Sequence, residues 1–211
     1  PGQTQPTLRI PSFTLAQGET LFLSGPSGGG KSTLISLIAG ILQPATGRVM
    51  VNGFSMSRIS ERQIPYMRRT IGVIFQDFRL IANKTVYDNL ALAMRAVGAS
   101  PKALRERIPY VLELVGLADK ENRYPDELSG GMQQRVGLAR ALAMDADILL
   151  MDEPFSALDP LIRAEMQDQL LDLQKTLHKT IVFITHSLDE AIFLSDRIAV
   201  MTRSEERRVG K

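Results

Sequence analysis

A nine-residue stretch, residues 25–33, constrains the fold of this chain more than any other part of it. It fits the pattern G-x-x-x-x-G-K-[ST] at Gly25, Gly30, Lys31 and Ser32. One short apolar run ends at Ser24, and another begins at Thr33. The resulting order of strand, glycine loop and helix is the setting in which this pattern binds phosphate, and it favours that interpretation over a simple glycine-rich turn.

The chemistry of this loop points to a nucleoside triphosphate with Mg²⁺. Glycines let the backbone curl until successive N–H groups face one phosphate, and the helix that begins near Lys31 adds the positive end of its dipole. We expect Lys31 to reach the β- and γ-phosphates and the Ser32 hydroxyl to bind Mg²⁺. The predicted nucleotide-binding residues of the loop are Gly25, Pro26, Ser27, Gly28, Gly29, Gly30, Lys31, Ser32 and Thr33.

Composition narrows the class of protein. The chain has 211 residues, enough for one large domain, and no cysteine, so neither disulfides nor thiol chemistry is expected. No apolar run approaches the roughly 20 residues that span a bilayer, and the polar residues 1–7 do not resemble a signal peptide. If a membrane is involved, we expect partner chains to supply the spanning segments.

Charge gives no support for nucleic-acid binding. The net charge of +2 comes from residues 203–211, and without them acidic and basic residues are equal in number. These last nine residues are polar and charge-rich. We expect a non-native or disordered tail there, with a genuine solvated tail as the alternative.

Hydrophobic periodicity predicts an α/β fold. Apolar runs typical of strands buried on both faces of a mainly parallel sheet recur along the chain, at residues 20–24, 71–75, 148–151, 180–184 and 197–201. A shorter strand is expected within residues 8–15, most clearly at residues 12–15, and another at residues 48–51, followed by an Asn52-Gly53 hairpin turn. A helix is expected over residues 160–177.

Between about residues 84 and 144 the apolar period becomes helical. Ser100 is a suitable N-cap for a helix with Pro101 at its first position. The predicted fold is therefore an α/β P-loop NTPase core with a mainly parallel sheet, a small antiparallel β subdomain and an inserted helical subdomain. We expect a single domain over residues 1–202.

Two adjacent carboxylates, Asp152 and Glu153, follow the predicted strand at residues 148–151. Ligands of parallel sheets bind at the carboxyl ends of strands. We expect Asp152 to hold Mg²⁺ through water, and Glu153 to orient the attacking water or accept its proton. An acidic turn at a strand end is the plainer alternative, and the upstream phosphate loop favours the catalytic one.

A second set of backbone N–H groups opens a helix at Ser129-Gly130-Gly131. This segment fits an ordinary serine-capped helix start, and it equally fits a second phosphate cradle. One chain rarely needs two cradles for one nucleotide, whereas two copies arranged head to tail do.

Taken together, these segments resemble the nucleotide-binding domain of ATP-binding cassette (ABC) transporters, from about Phe13 to Met201. The matching elements occur in the order of the family: Walker A (residues 25–33), the Q-loop glutamine (Gln76), the signature motif (residues 128–135), Walker B (residues 148–153), the D-loop (residues 156–159) and the switch histidine (His186). The signature motif is nearly unique to this family, and it disfavours a kinase or GTPase.

The resemblance implies an ATPase in which two cassettes enclose two ATP molecules, each held between Walker A of one copy and Ser129-Gly130-Gly131 of the other. It implies that Gln76 binds Mg²⁺ and senses the γ-phosphate, and that His186 contacts this phosphate. The catalytic residues implied are Glu153, His186, Lys31 and Gln76. Further nucleotide contacts are expected from Ser129, Gly130, Gly131, Gln133 and Asp159, and metal contacts from Ser32, Gln76 and Asp152.

One feature departs from the family pattern. Cassettes usually place an aromatic residue before the Walker A strand to stack on adenine, but residues 1–7 contain none. Phe13 lies too close to Gly18 for this role, and we expect it in the core. Either the native amino terminus is missing or the base is held in another way.

The subfamily signals are divided. Residues 69–131 resemble the ATPase of the bacterial cell-division complex, and the opening third resembles cassettes for lipoprotein release or macrolide export. Residues 152–160 and 186–191 instead resemble importer cassettes, particularly those for compatible solutes and other small molecules. We favour import, because residues 155–157 differ from the Thr-Gly-Asn that the cell-division and release types usually carry there.

The expected partners are a second cassette, forming a homodimer, and transmembrane permease subunits, with no nucleic acid. The expected location is peripheral, at the cytoplasmic face of the inner membrane. Residues 77–81 either dock a helix of the membrane partner or pack within the helical block. Soluble cassettes of DNA repair or translation are disfavoured, because they carry a coiled-coil insertion or a tandem second cassette.

Overall fold

The computed structural model describes residues 8–74, 78–156 and 158–201. Its strands are β1 (Thr20–Ser24), β2 (Met50–Val51), β3 (Phe54–Ser55), β4 (Ile71–Ile74), β5 (Ile148–Asp152), β6 (Thr180–Ile184) and β7 (Arg197–Val200). Five of them form a parallel sheet in the order β4-β5-β6-β1-β7, and β2 pairs with β3 in a separate antiparallel sheet. The predicted α/β class, with a mainly parallel sheet and a small antiparallel one, is confirmed.

The helices are α1 (Lys31–Ile38), α2 (Ile64–Arg68), α3 (Val86–Ala96), α4 (Pro101–Leu114), α5 (Gly130–Ala143), α6 (Pro160–Leu177) and α7 (Leu188–Leu194). Their starts follow the capping chemistry of the sequence. A side-chain oxygen accepts a backbone N–H bond at each of five caps: Thr85, Ser100, Ser129, Asp159 and Ser187. The predicted start at Ser100 and the predicted extent of α6 are both confirmed.

The interior strand β1, between β6 and β7, is buried on both faces of the sheet. Leu21, Phe22 and Leu23 are essentially inaccessible to solvent. Because successive side chains of a strand point to opposite faces, Phe22 lies in the core beneath α3–α6, while Leu21 and Leu23 lie in the core beneath α1 and α2. Phe22 stands opposite Phe183 of β6, with ring centroids 6.0 Å apart. Parallel pairing needs the helical crossovers that the sequence supplies between strands.

The short antiparallel pair is the predicted hairpin. Asn52 and Gly53 form its two-residue turn with φ of 46° and 82°. Positive φ at both central positions is what a type I′ hairpin turn requires, and Asn-Gly tolerates it best. The first strand of the hairpin is shorter than predicted: β2 begins at Met50 rather than at Arg48.

Two expectations for the segment before β1 are wrong. Residues 12–15 form no strand, and Phe13 is 39% exposed instead of lying in the core. The Arg197 side chain explains both findings. It donates a hydrogen bond to the Thr14 carbonyl, which a strand would have paired with a neighbour, and its guanidinium lies 5.4 Å from the Phe13 ring centroid.

Candidate functional site

The phosphate loop joins β1 to α1 as predicted. Gly30 caps α1 with a φ of 94°, a left-handed conformation that a side chain would strain. Lys31 begins the helix, and its side chain folds back over the loop. Its ammonium donates hydrogen bonds to the carbonyl oxygens of Gly25 (2.5 Å) and Pro26 (3.0 Å), and the residue is only 8% exposed. The hydrogen-bond acceptors of this buried ammonium are neutral carbonyls, so an anionic ligand would be favoured here.

The end of β7 closes the loop from the side. The Met201 N–H donates a hydrogen bond of 2.8 Å to the Ser24 carbonyl. A Cβ atom at Gly25 would lie 2.4 Å from the Met201 carbonyl oxygen. Glycine at position 25 is therefore required by the neighbouring backbone, whatever ligand the loop binds.

Asp152 ends β5, half-buried near the phosphate loop. Burial raises the pKa of its carboxyl, while the charges of Lys31, Arg79 and His186 lower it, and the net shift is upward. Side chains from three different segments thus act on one carboxylate. A carboxylate whose ionised form is disfavoured by burial gains from a divalent cation, which fits the predicted Mg²⁺ ligand.

Glu153 and His186 form a direct pair, with 2.5 Å between Glu153 Oε1 and His186 Nε2. Glu153 adopts a left-handed backbone conformation with φ of 49°, and its N–H donates to the Ile184 carbonyl at 2.8 Å. This turn holds Glu153 at the ends of both β5 and β6. Such a conformation costs a non-glycine residue roughly 1–2 kcal/mol, and strain of this kind concentrates at functional sites.

The segment Ser129-Gly130-Gly131 opens α5, and its two glycines have different surroundings. A Cβ at Gly131 would lie 2.4 Å from Ile162 Cγ2 of α6, whereas a Cβ at Gly130 would meet only Leu158, at 4.0 Å. Gly131 is thus fixed by the packing of α5 on α6. Gly130 is exposed, so its backbone N–H can be approached closely by a ligand.

Two further predicted nucleotide contacts make structural hydrogen bonds. The Gln133 amide donates to the carbonyls of Pro125 (2.9 Å) and Leu128 (3.2 Å). The Asp159 carboxylate caps α6 by accepting from two backbone N–H groups at 3.1 Å each. Their contact with nucleotide stays a prediction. Gln76, predicted for both metal binding and catalysis, lies outside the described residues.

The described residues contain no group of three or more His, Cys, Asp or Glu side chains that could hold a metal ion. Mg²⁺ in nucleotide sites is held by one or two protein ligands together with phosphate oxygens and water. The donor set of the Ser32 hydroxyl and the Asp152 carboxylate fits a metal of that kind. Lys31, Asp152, Glu153 and His186 are brought together, as the sequence predicts for a site at the carboxyl ends of β1, β5 and β6.

Sequence reasoning missed the contacts of two arginines near the site. Arg79 was considered only as a docking residue, yet its charge acts on Asp152. Arg140 was not considered, although it is the one charged residue in the otherwise apolar run of residues 136–143. Its guanidinium donates to the carbonyls of Arg79 (2.7 Å) and Phe78 (3.0 Å). In the predicted docking segment, Leu80 packs against the core, while Arg79 and Ile81 are exposed.

A phosphate loop between β1 and α1, with carboxylates at the end of β5, defines a P-loop nucleotide-binding domain. The family model "ABC transporter" matches residues 8–156. The chain belongs to the ABC transporter family, and it is an ATPase domain of that family.

Curated relatives align with nearly the whole length of this chain. It is 48% identical over 200 residues to the glycine betaine/proline betaine transport system ATP-binding protein ProV of Escherichia coli (strain K12), which covers 94% of this chain and 50% of that protein. It is 49% identical over 195 residues to the trimethylamine N-oxide transport system ATP-binding protein TmoW of Ruegeria pomeroyi, with 92% and 57% covered. The chain thus spans about half the length of these relatives.

A solved structure shares the fold. The ATP-binding cassette MJ0796, described as a dimer in a post-hydrolysis state bound to ADP and Pi, superposes with a TM-score of 0.78 at 32% identity. The match covers 92% of this chain and 86% of the other. Within the described part of the chain, no helix is both long enough and apolar enough to cross a membrane.

Proposed function

We propose that this chain is the ATP-hydrolysing part of an ABC importer for a small solute. The observation that carries the proposal is the identity of 45–49% to ATP-binding proteins of betaine and trimethylamine N-oxide transport systems. These relatives favour import over the cell-division or lipoprotein-release alternative. A betaine-like quaternary ammonium compound or a similar small polar molecule is the substrate class to test first.

Nucleotide binding would use the buried charge of Lys31. When ATP reaches the loop, the Lys31 ammonium exchanges its two carbonyl acceptors for phosphate oxygens, which are charged and bind it more strongly. The first backbone N–H groups of α1, beginning at Lys31, face the same phosphates. Ser32 and Asp152 are the residues that would hold Mg²⁺, which neutralises charge on the phosphates when bound.

Hydrolysis would depend on Glu153. Its carboxylate is the group at the end of β5 that can orient water and accept its proton, and the contact with His186 fixes its direction. His186 is two-thirds exposed, so its ring can also reach a phosphate oxygen. The left-handed turn at Glu153 keeps the carboxylate next to the end of β6, where His186 follows.

A second copy would complete each site. Ser129 and Gly130 are exposed at the start of α5, with backbone N–H groups able to meet an anion. Two copies arranged head to tail would bring this segment of one chain onto the phosphates held by Lys31 of the other. Membrane-spanning permease subunits are the further partner, and the cytoplasmic face of the membrane is the proposed location.

The test is Glu153→Gln in the intact protein. We expect binding of ATP to be retained and turnover to fall by roughly 10²–10⁴-fold, the usual effect of removing a general base. Glu106→Gln, at an exposed position of α4, is the matched control and should turn over ATP normally. Normal turnover in Glu153→Gln would contradict the catalytic assignment.

Import is tested separately, by ATP-dependent uptake of glycine betaine into liposomes that contain the protein and its membrane partner. Uptake that requires Glu153 would support the proposal. Release of cargo from the membrane, or ATP-dependent signalling with no solute movement, would favour the alternatives instead.

A further inference from the structure

Two segments of the chain meet at the Glu153–His186 pair, and each is held by hydrogen bonds of its own. After Glu153, the N–H and the hydroxyl of Ser156 both donate to the Glu153 carbonyl, at 3.2 and 2.9 Å. After His186, the Ser187 hydroxyl caps α7 by accepting the Glu190 N–H at 3.3 Å. The direction of each side chain of the pair therefore depends on where the segment that follows it lies.

One arginine joins the far ends of these two segments. Arg163, in the first turn of α6, donates a hydrogen bond of 3.1 Å to the carbonyl of Leu158, at the end of the segment that begins at Glu153. Its Nε lies 3.8 Å from Oε1 of Glu190, in the first turn of α7. Since α7 follows His186 directly, these contacts and the two chain segments form a closed ring around the catalytic pair.

The geometry of the Arg163–Glu190 pair gives little stability for the burial of its charges. Glu190 is only 6% exposed. Within the described residues, the buried Arg163 Nε has no hydrogen-bond partner. Two buried charges without a close hydrogen bond recover little of their desolvation cost, and apolar replacements of such pairs are often neutral or stabilising. What the pair does fix is the distance between two segments that flank the site.

We propose that Arg163 is a positioning residue of the hydrolytic site: by joining the segment after Glu153 to the start of α7, it keeps His186 against Glu153. The proposal rests on the proposed function in one respect, the role of Glu153 in orienting the attacking water. It assigns to Arg163 no contact with nucleotide or water. The effect of Arg163 passes through the ring.

Arg107 provides a matched control in the same chain. Its guanidinium also bridges a backbone carbonyl and a carboxylate, because it donates to the Ala143 carbonyl at 3.1 Å and to Asp145 Oδ1 at 2.9 Å. The two arginine side chains are equally accessible, with 36% of Arg163 and 34% of Arg107 exposed. Arg107→Met therefore removes a comparable bridge, between α4 and the end of α5, that bears on no site residue.

The first readout follows the His186 ring directly and needs no turnover. The chain has two histidines, so the imidazole nitrogen signals of isotopically labelled protein are assigned by comparison with His186→Ala. His178, at the far end of α6, serves as the internal reference. At one fixed pH, Arg163→Met should shift the His186 Nε2 signal, and Arg107→Met should leave it unchanged. An unchanged His186 signal in Arg163→Met would overturn the proposal.

The second readout separates positioning from binding. Arg163→Met should lower kcat roughly 10–100-fold, as for a small displacement of a reacting group. The Kd for ATP should stay within about twofold, because the lost interaction serves the transition state rather than nucleotide binding. Arg163→Lys, which can keep one of the two contacts, should lie between Arg163→Met and the wild type in kcat. Equal kcat in Arg163→Met and Arg107→Met would contradict the proposal.

Combination with Glu153→Gln shows whether the effect passes through the catalytic pair. Arg163→Met should lower turnover no further in a Glu153→Gln background, because both substitutions remove one arrangement. Fully additive losses would show that Arg163 acts elsewhere. Normal turnover in Glu153→Gln alone would refute the proposed role of Glu153, and the His186 signal would still test the contact.

A double variant separates this role from folding. Arg163→Met alone leaves the buried Glu190 charge without its partner, so its melting temperature should fall. Arg163→Met/Glu190→Leu removes both charges and should melt near or above the wild type, yet its kcat should remain as low as that of Arg163→Met. Recovery of turnover together with stability would show that the pair serves folding only, and it would overturn the proposal.

Discussion

At the ends of β5 and β6, single residues have features that disfavour folding but place carboxylates in the candidate site. Asp152 is buried enough to disfavour its charge, and Glu153 adopts a backbone conformation that side chains avoid. Neither feature helps the chain to fold. Both place carboxylates near Lys31 and His186, so the site is formed at some cost in stability.

Replacement of Asp152 by Asn should remove this cost and raise the stability of the folded chain. The folded-state pKa of Asp152 is raised, so the ionised carboxylate costs stability above that pKa, and the cost disappears as the pH falls through it. With EDTA and no nucleotide, Asp152→Asn should melt at a higher temperature than the wild type at pH 8. The gain should shrink towards zero near pH 4. A variant that melts below the wild type at pH 8 would contradict this expectation.

The residue types of the site were predictable from sequence, because their chemistry is tied to local spacing. The phosphate loop and the acidic strand end are patterns of adjacent residues. The contact between Arg79 and Arg140 was not predictable, because these residues are 61 positions apart. Likewise, Gly131 looks like a phosphate-binding glycine in the sequence, and only the structure reveals its contact with Ile162.

Among elements, α5 is the one on which most of the contacts near the site converge. It packs on β4 through Gly72 and Ala141, on α6 through Gly131 and Ile162, and it carries Arg140. Its helical period was visible in the sequence as part of the block at about residues 84–144. Its partners were not, because apolar stripes show that a face is buried without showing what covers it.

Because α5 packs tightly on β4, two glycine substitutions should change the free energy of unfolding in opposite directions. Gly72→Ala forces a Cβ to within 2.8 Å of the Ala141 Cβ and 3.0 Å of Leu149 Cδ2, so we expect a loss of about 1–3 kcal/mol. Gly137→Ala, on α5 with nothing within 4 Å of its added Cβ, should gain up to about 1 kcal/mol from helix propensity. Urea unfolding of both variants checks this. A Gly72→Ala variant as stable as Gly137→Ala would show that the interface yields.

The end of α5 should contribute a pH-dependent stability. Burial tends to raise the pKa of Asp145, but the Lys179 hydrogen bond and the charge of Arg107 outweigh it, so the pKa is lowered. A lowered folded-state pKa gives stability that is present above the ordinary value of 3.8 and lost as pH falls through the folded pKa. Asp145→Asn should therefore cost about 0.2–1 kcal/mol at pH 7, as for other exposed ion pairs. Urea unfolding should show this difference shrink as the pH falls below 3.8, and a constant difference would contradict the linkage.

At the scale of the whole molecule, the α/β class follows from patterns that span the chain. Apolar strands without alternation predicted a buried parallel sheet, and five strands form it, but the edge strand β7 is largely exposed rather than buried on both faces. The segment before β1 was mispredicted as a strand. The Arg197 side chain donates a hydrogen bond to the Thr14 carbonyl, which in a strand would pair with a neighbouring strand. Long-range side-chain contacts of this kind leave no periodic trace in a sequence.

The proposed site, shared between two copies, predicts concentration-dependent activity. With ATP and Mg²⁺, Glu153→Gln should accumulate as a dimer of twice the 23.3 kDa chain mass, measured by light scattering. With ADP it should remain monomeric. Turnover per chain in the wild type should fall on dilution, and Ser129→Arg should abolish both the dimer and most of the turnover. Constant turnover per chain in a strictly monomeric preparation would contradict the shared site.

The position of β1 in the sheet has a consequence for how the protein is made. β1 is synthesised first, but both of its neighbours, β6 and β7, come from the last part of the chain, with Thr20 opposite Ile181 and Leu21 opposite Arg197. At about 5–20 residues per second, a ribosome needs roughly 10–30 s to translate the interval between β1 and β6. During that time this apolar strand has no partner and is a natural target for chaperones. The contact of Met201 with Ser24, which closes the phosphate loop from the side, can therefore form only after translation has passed residue 201.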